Sequence, residues 1–471
     1  MHLSPLRTTP TTAPVLSWAT RGPRAARAAL AALPSPRAEL RRTVRWATQH
    51  GLAAAVLRRA AADGDLQGLM VTRTAGSLEA PYEIARDIRE SAPLHRSRYA
   101  WTTADHAVVR EVLAHPDLRS GFPEPERGPV ARLAAWAGEP DRLGPLTPPS
   151  LLVTDGADHT RYRRLVTRVF SARAVEALRA RTQEVAAQLA ADLPRHVDAR
   201  GEVDLVEAYC APLPVTVICE ILGVPAEERE RVLAFGQAAA PSLDLGLSWA
   251  QMRRVEVALD DFRTWLVGHL EHLREHPGDD LMSRLVAARD EETGEGLSQD
   301  ELLATAGLVL AAGFETTVNL LSNGLVLLTG HPAARAALAA DPDLWGNAVD
   351  EVLRFDPPVL LTGRAAATAT EVAGQQVRAG EMISAVLAGA NRDPAVFTDP
   401  DTFDVTSANA RDHVSFSGGR HYCLGAALAR MEGEVGLRTL LETHPDLVLS
   451  SDRRRRPTRI LRGWATLPAR L

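Results

Sequence analysis

Apolar and polar positions along this chain fall into a series of helix-spaced segments separated by Gly, Pro and Asp punctuation. Pro36 to His50 has helical spacing, with Ser35 as its cap and Gly51 as its stop. Pro81 to Arg89, Ala104 to Leu113, Asp158 to Phe170, Ala172 to Leu193 and Pro225 to Phe235 follow the same pattern. A long amphipathic helix is predicted from about Ala250 to Leu273, after a small apolar stretch, Ala238 to Trp249, broken at Pro241 and Gly246. Strand-like runs are few: Tyr99 to Thr103, and a hairpin within Glu371 to Val386 around Gly374 and Gly380. Gly121 to Pro149 is rich in Pro, Gly and charge and reads as a long loop with one short helix, Ala131 to Trp136.

The most apolar stretch, Leu302 to Ala334, is interrupted by Glu315, Asn319, Ser322, Asn323, His331 and a few threonines. A carboxylate and two asparagines in mid-span would be costly in lipid, so the run predicts a buried central helix and no membrane span. Ser298 and Glu301 form a capping box at its start. Inside it, Ala312 and Gly313 precede Glu315 and Thr316, leaving room beside the helix for a small molecule. A buried carboxylate must find a partner, shift its pKa or contact water, which makes Glu315 a candidate for handling protons. A carboxylate reaching solvent at a helix edge and pairing with a distant arginine is the plainer alternative. Gly313 marks either close packing or a functional distortion.

From Phe416 to Arg430 a glycine-rich approach leads to Cys423 and then, through Gly425, to an Ala/Leu helix start. The glycines allow a tight turn, and the helix amides point back toward the Cys423 sulfur. Cationic neighbours such as Arg420 add to that field, and thiolate character is what a metal ligand needs. A small buried hydrophobe is how most lone cysteines behave. The fixed offsets of Phe, paired glycines, Cys and Gly favour ligation.

This stretch resembles the haem-thiolate signature of the cytochrome P450 family, in which the cysteine is the axial ligand of haem iron. The resemblance covers the chain from about Pro81 to its end. It implies a mainly α fold: one large helical domain, residues 76–471, with small β-sheets and the haem held between the long central helix and the cysteine loop. Residues 1–75 would then be an Arg/Ala-rich extension, helical or partly disordered. Carried over residue by residue, the resemblance implies Cys423 as metal ligand and His159, Arg163, Arg364 and His421 as haem propionate contacts. Phe416, Gly425, Ala312 and Gly313 would adjoin the haem. Thr316 would position dioxygen and water, with Glu315 relaying protons. Leu308 and Val309, with Ala312, would face the substrate, as would Leu360 and Leu361. Glu351 and Arg354, ahead of Pro357 and Pro358, match the family's structural ion pair by position. The bare Glu-x-x-Arg pattern recurs elsewhere, as at Glu39 with Arg42.

The implied function is a haem b-dependent monooxygenase that uses O2 and two externally supplied electrons to hydroxylate or epoxidise an apolar small molecule such as a secondary metabolite. The electrons would come from NAD(P)H through a ferredoxin or flavodoxin-type donor and its reductase, because no appended reductase region is visible. The alternatives are a peroxide-driven or oxidative-coupling member of the family, or a non-catalytic haem-binding sensor. Four positions depart from the family pattern: Ser417 for glycine, Ala427 for proline, Arg378 for proline and Ser407 for arginine. Substrate choice falls to Gly121 to Pro149, Ala238 to Trp249 and Val359 to Thr362.

At 471 residues the length alone allows about three domains, but the resemblance replaces that with one. A net charge of -6 gives no reason to expect nucleic acid or an anionic membrane as partner. No lysine occurs; the basic side chains other than histidine are arginine, ten of them in the first sixty residues against one glutamate. That start suits a docking arm for an acidic partner or a surface-binding segment, and more simply an extra helical layer. Arg453 to Arg456 reads as a solvated turn. Cys210, Cys219 and Cys423 are too sparse for a disulfide framework, Cys210 and Cys219 read as packing residues, and a reducing cytoplasm is the expected compartment. No secretory signal is visible at the start.

Overall fold

The computed structural model describes residues 35–72, 81–121, 128–138, 144–167, 170, 172–278, 280–289 and 294–471. The helices that build the site are α1 (Pro36–Trp46), α2 (Leu52–Ala62), α3 (Pro129–Ala137), α4 (Gly156–Thr167), α5 (Arg179–Asp192), α6 (Pro212–Ile221), α7 (Arg229–Ala239), α8 (Trp249–Glu275), α9 (Gln299–Gly330), α10 (Trp345–Phe355) and α11 (Ala426–Thr443). Shorter helices and small sheets join them, giving the mainly α architecture that the sequence predicts.

The apolar run folds as the central helix α9. Ser298 Oγ accepts from the Glu301 amide (3.3 Å), and the Glu301 carboxylate accepts from the Ser298 amide (2.8 Å). That cap also reaches sideways, since Glu301 accepts from Tyr162 (2.7 Å) and Arg161 (2.5 Å) and so ties α4 to the start of α9. The helix stops at Gly330 rather than continuing to Ala334, because Pro332 opens the next helix. Among the described residues, α9 is long and apolar enough to cross a membrane, but most of that stretch is buried inside the protein.

α5, α6, α10 and α11 pack around α9 in one continuous core that includes Tyr209, Leu213, Ile218, Phe314 and Leu437. Helix axes approach closely at Gly436, where a Cβ would sit 2.7 Å from Leu321 and 2.8 Å from Leu213. The Tyr209 hydroxyl donates to the Gly436 carbonyl there (2.7 Å).

The largest sheet has five strands in the order β1 (His95–Arg96), β2 (Trp101–Thr103), β5 (Met382–Ala385), β4 (Thr362–Ala366), β3 (Leu118–Ser120). Register places Arg364 between Ser120 and Ile383. A second hairpin, β6 (Arg454–Arg455) with β7 (Trp464–Thr466), carries a bulge between Arg454 and Arg455.

Two local expectations are corrected. Gly51 does not stop a helix: its φ is -62°, and the chain passes through a π turn, Ala47–Gly51, into α2. Its missing Cβ leaves room for the Trp46 ring, 3.3 Å away. Ala172 to Leu193 is two helices, Ala172–Glu176 and α5.

Glu351 (0% exposed) and Arg354 (3%) form a two-pronged pair, 2.7 and 2.8 Å. Arg354 also donates to the carbonyls of Asn391 (3.1 Å), Pro400 (2.9 Å) and Thr402 (2.9 Å), while the Asp404 amide donates to Glu351 (2.9 Å). The pair therefore fastens α10 to the segment leading into the cysteine loop. Arg354→Met strands a buried carboxylate and is expected to cost about 3–5 kcal/mol in chemical denaturation; a loss below about 1 kcal/mol would show that the pair is not a fastening point.

Candidate active site

Cys423 sits at the end of a turn whose shape follows from its glycines. Gly419 has φ 59° and lies so close to Leu113 that a Cβ would come within 2.6 Å of its carbonyl oxygen. Ser417 also takes a left-handed conformation, φ 62°, which explains why this position favours glycine. The Cys423 amide donates to the Phe416 carbonyl (2.8 Å), closing the loop, and α11 starts at Ala426 with Gly425 as its cap. Phe416 is buried beneath, with the Arg430 guanidinium 4.5 Å over its ring.

Burial pushes the Cys423 thiol upward, opposed by the Gly425 amide and by Arg163 and Arg430. The expectation of a lowered pKa from Arg420 is corrected on both counts. Desolvation outweighs the cations, and Arg420 turns to Asp155 (3.5 Å) and to the carbonyls of His115 and Pro116. A bound metal ion would displace the proton that burial retains.

Four groups sought for an anion converge on this loop. His159 and Arg163 lie one turn apart on α4, which places both toward the loop. The rings of His159 and His421 are 4.4 Å apart, Arg163 donates to the Tyr422 carbonyl (2.6 Å), and Arg364 donates to Ser417 Oγ (3.4 Å). Arg364 is 2% exposed, and burial pushes its pKa down to about 10. Its hydrogen-bond partners among the described residues are neutral: Thr362 Oγ1 (3.2 Å), the Gly363 carbonyl (2.9 Å) and Ser417. His159 is held neutral, near a pKa of about 4, by burial and by the neighbouring charges of His421 and Arg163. Its Nε2 is buried without a partner among the described residues. The nearby carboxylate, Asp155, is engaged by His421 (3.0 Å) and Arg420. A buried guanidinium with neutral partners, a buried imidazole nitrogen with none among the described residues, and the half-buried Arg163 suit an added anion, so the residues present fit the carboxylates of a haem.

On the opposite side, Leu308, Ala312 and Thr316 recur every four residues along α9 and line an apolar cavity. Ala312 is exposed in the middle of an otherwise buried helix. Phe235, Leu243, Leu259 and Leu461 complete much of the wall, and Gly236 gives way to the Phe314 ring. Thr316 Oγ1 donates to the Ala312 carbonyl (3.1 Å). Glu315 also borders the cavity. Burial raises its proton affinity, opposed by Arg456, which pairs with Oε1, while Oε2 has no partner among the described residues.

Several expected residues lie elsewhere. The position of a Gly313 Cβ is 3.0 Å from Ile218, so this glycine serves helix packing on α6. Val309 packs on the main core, Leu361 joins a cluster with Ile88 and Val386, Leu360 is fully buried, and none of the three lines this cavity. Arg456 was missed as a functional residue. The run Arg453 to Arg456 is no solvated turn: Arg455 reaches Asn323 (2.9 Å) and Asp356 (2.8 Å), and Arg456 reaches Glu315. The alternation of a bulged strand was the one local hint that these four side chains diverge. Residues 1–34, Arg168 and parts of Gly121 to Pro149 (122–127 and 139–143) lie outside the described residues.

Comparison with known proteins agrees with this geometry. The family described as Cytochrome P450 matches residues 242–459. A Mycobacterium tuberculosis chain named as a cytochrome P450 140 is 46% identical over 427 residues, 90% of this chain and 97% of that one. The Vitamin D(3) 25-hydroxylase of Pseudonocardia autotrophica is 39% identical over 377 residues, 78% of this chain and 87% of the relative. The crystal structure of P450BioI in complex with an acyl carrier protein carrying hexadec-9Z-enoic acid is similar with a TM-score of 0.75 and 28% identity, covering 85% of this chain and all of that one (100%). On these similarities, this chain belongs to the cytochrome P450 family of haem monooxygenases.

Proposed function

We propose that this P450 hydroxylates or epoxidises an apolar small molecule, such as a secondary metabolite, held beside α9, with Cys423 as the iron ligand. The observation that carries the reading is the stripe Leu308, Ala312 and Thr316, open on a cavity whose remaining wall is almost wholly apolar. Apolar walls bind by excluding water and leave orientation to a few polar groups. His159, Arg163, Arg364 and His421 would hold the haem carboxylates, and Phe416, Gly425 and Ala312 would lie against the macrocycle. The haem supplies dioxygen activation and its reductive cleavage when bound, with a thiolate ligand favouring the cleavage.

The chain's own share is orientation and proton handling. Thr316 commits its hydroxyl proton to the Ala312 carbonyl and keeps lone pairs to accept from a donor in the cavity. At Glu315, burial favours the neutral acid and Arg456 favours the carboxylate, and Oε2 has no partner among the described residues. That balance keeps both forms accessible, as a relay requires. An acid and an alcohol together at the cavity favour O2 chemistry over peroxide-driven turnover. The relatives named above support a bulky apolar substrate: one is a vitamin D(3) hydroxylase, and another was solved with a sixteen-carbon acyl chain on its carrier. Electrons would arrive from NAD(P)H through a ferredoxin or flavodoxin-type donor with its reductase. A reducing cytoplasm suits three free cysteines.

Reduced, carbon-monoxide-treated protein is expected to show the red-shifted Soret band of thiolate ligation, and Cys423→Ser to abolish it; retention of that band in the serine variant would remove the ligand assignment. Thr316→Ala should keep substrate binding while electron consumption separates from product formation by about tenfold or more, read as NAD(P)H used per product formed. Arg456→Met should raise the proton affinity of Glu315 and cost about 3–5 kcal/mol, with stability largely restored by adding Glu315→Gln. An additive double variant would mean that the two residues do not act as a pair.

A further inference from the structure

The chain's first described helices reach the far side of the same cavity. Trp46, at the end of α1, donates its Nε1 proton to the Leu247 carbonyl (2.8 Å) and meets Trp249 edge to face, ring centres 6.0 Å apart. Arg45 is buried beside it, bonding the Glu256 carboxylate on α8 (2.5 Å) and the Ala137 carbonyl at the end of α3 (3.2 Å). Gly246 has φ 76°, and a Cβ there would lie 2.9 Å from Ala54 of α2. The loop 240–248 is thus seated on α1 and α2 along its outer side.

Its inner side faces the substrate. Ala239, Ala240, Ser242, Leu243 and Leu259 line the cavity. Ala239 and Leu259 also belong to the cluster of Leu247, Met252 and Val255 against which Trp46 packs. One layer of side chains therefore separates Trp46 from the cavity. The other anchor comes from the far end of the chain, where the Asp244 carboxylate accepts from the amides of Arg459 (3.0 and 2.9 Å) and Ile460 (2.9 Å), next to the cavity residue Leu461.

We propose that Trp46 and Arg45 are positioning residues of the substrate cavity: they hold the loop 240–248 and the start of α8 as a wall and so set how readily a bulky apolar ligand gets in and out. This rests on the reading that the cavity holds substrate. Residues 35–72 are then part of the active-site architecture rather than an appendage. These side chains form a cluster separate from the main core, so the wall can open locally while the core stays folded.

The test uses the full-length haem-loaded protein and the variants Trp46→Ala, Trp46→Phe and Arg45→Met. Hydrogen exchange of the amides in 240–248 reads the wall directly. Association and dissociation of two azoles on ferric haem read access: imidazole is small enough to ignore the wall, and econazole is bulky and apolar. In Trp46→Ala, exchange in 240–248 and both econazole rates should rise about tenfold, the weight of a lost buried hydrogen bond with its packing, while imidazole rates stay unchanged. Trp46→Phe, which keeps a ring and loses the N–H, should fall between. Unchanged exchange in Trp46→Ala would overturn the proposal, as would equal acceleration of both azoles, which a general loosening produces. Failure of econazole to shift the haem spectrum of the unmutated protein would instead count against the cavity as the substrate site, and the exchange measurement would still decide the wall.

Discussion

A carboxylate buried in the middle of an apolar helix has to be compensated, and much of this molecule is arranged around that requirement. Glu315 sits on α9 among residues that exclude water, and the cation that meets it, Arg456, comes from a hairpin 141 positions later. Compensation is partial: one oxygen is paired, and the other has no partner among the described residues. A fully paired acid would be a structural ion pair, as Glu351 with Arg354 is, with Arg354 saturated by three further carbonyls. On the proposed reading, the contrast between these two acids separates a group that exchanges a proton from one that holds the fold.

The cysteine side obeys the opposite logic. There the buried groups are positive or capable of becoming so, and their protein partners are mostly neutral. Arg364 loses hydration without gaining a full ion pair, and His159 stays neutral because burial, and then its cationic neighbours, oppose its protonation. Such an arrangement is costly for the protein alone and, on the proposed assignment, would become favourable with two haem carboxylates docked there. Haem binding and local stability would then be one process, with Asp155 holding His421 and Arg420 within it.

The cavity wall around Ser242 and Leu243 is backed by pieces of chain from both ends of the sequence. The loop 240–248 is seated on α1 and α2 outside and tied by Asp244 to Arg459 and Ile460 inside. Neither contact resembles the ridge-and-groove packing of the core. A wall made of a few specific bonds can vary among relatives that share α9 and the cysteine loop, which is how one fold serves substrates of different shape.

Much of the site was legible in the chain because its signals are short. The Ser298–Glu301 box and the glycine turn before Cys423 each depend on steric and hydrogen-bonding rules acting within a few residues, whereas Leu308, Ala312 and Thr316 are expected through the family resemblance and form one stripe on the cavity. The strained φ of Ser417 even accounts for one departure from the family pattern. Periodicity could say that a face is buried but not what covers it. So Gly313 turned out to face Ile218, Val309, Leu360 and Leu361 pack away from the cavity, and of four consecutive arginines Arg456 alone meets Glu315. The sequence by itself determined the cofactor chemistry and the helix that carries the acid and alcohol. Tertiary structure decided the partner of that acid and the wall of the cavity, because both depend on contacts between segments more than a hundred residues apart, whose meeting no local pattern encodes.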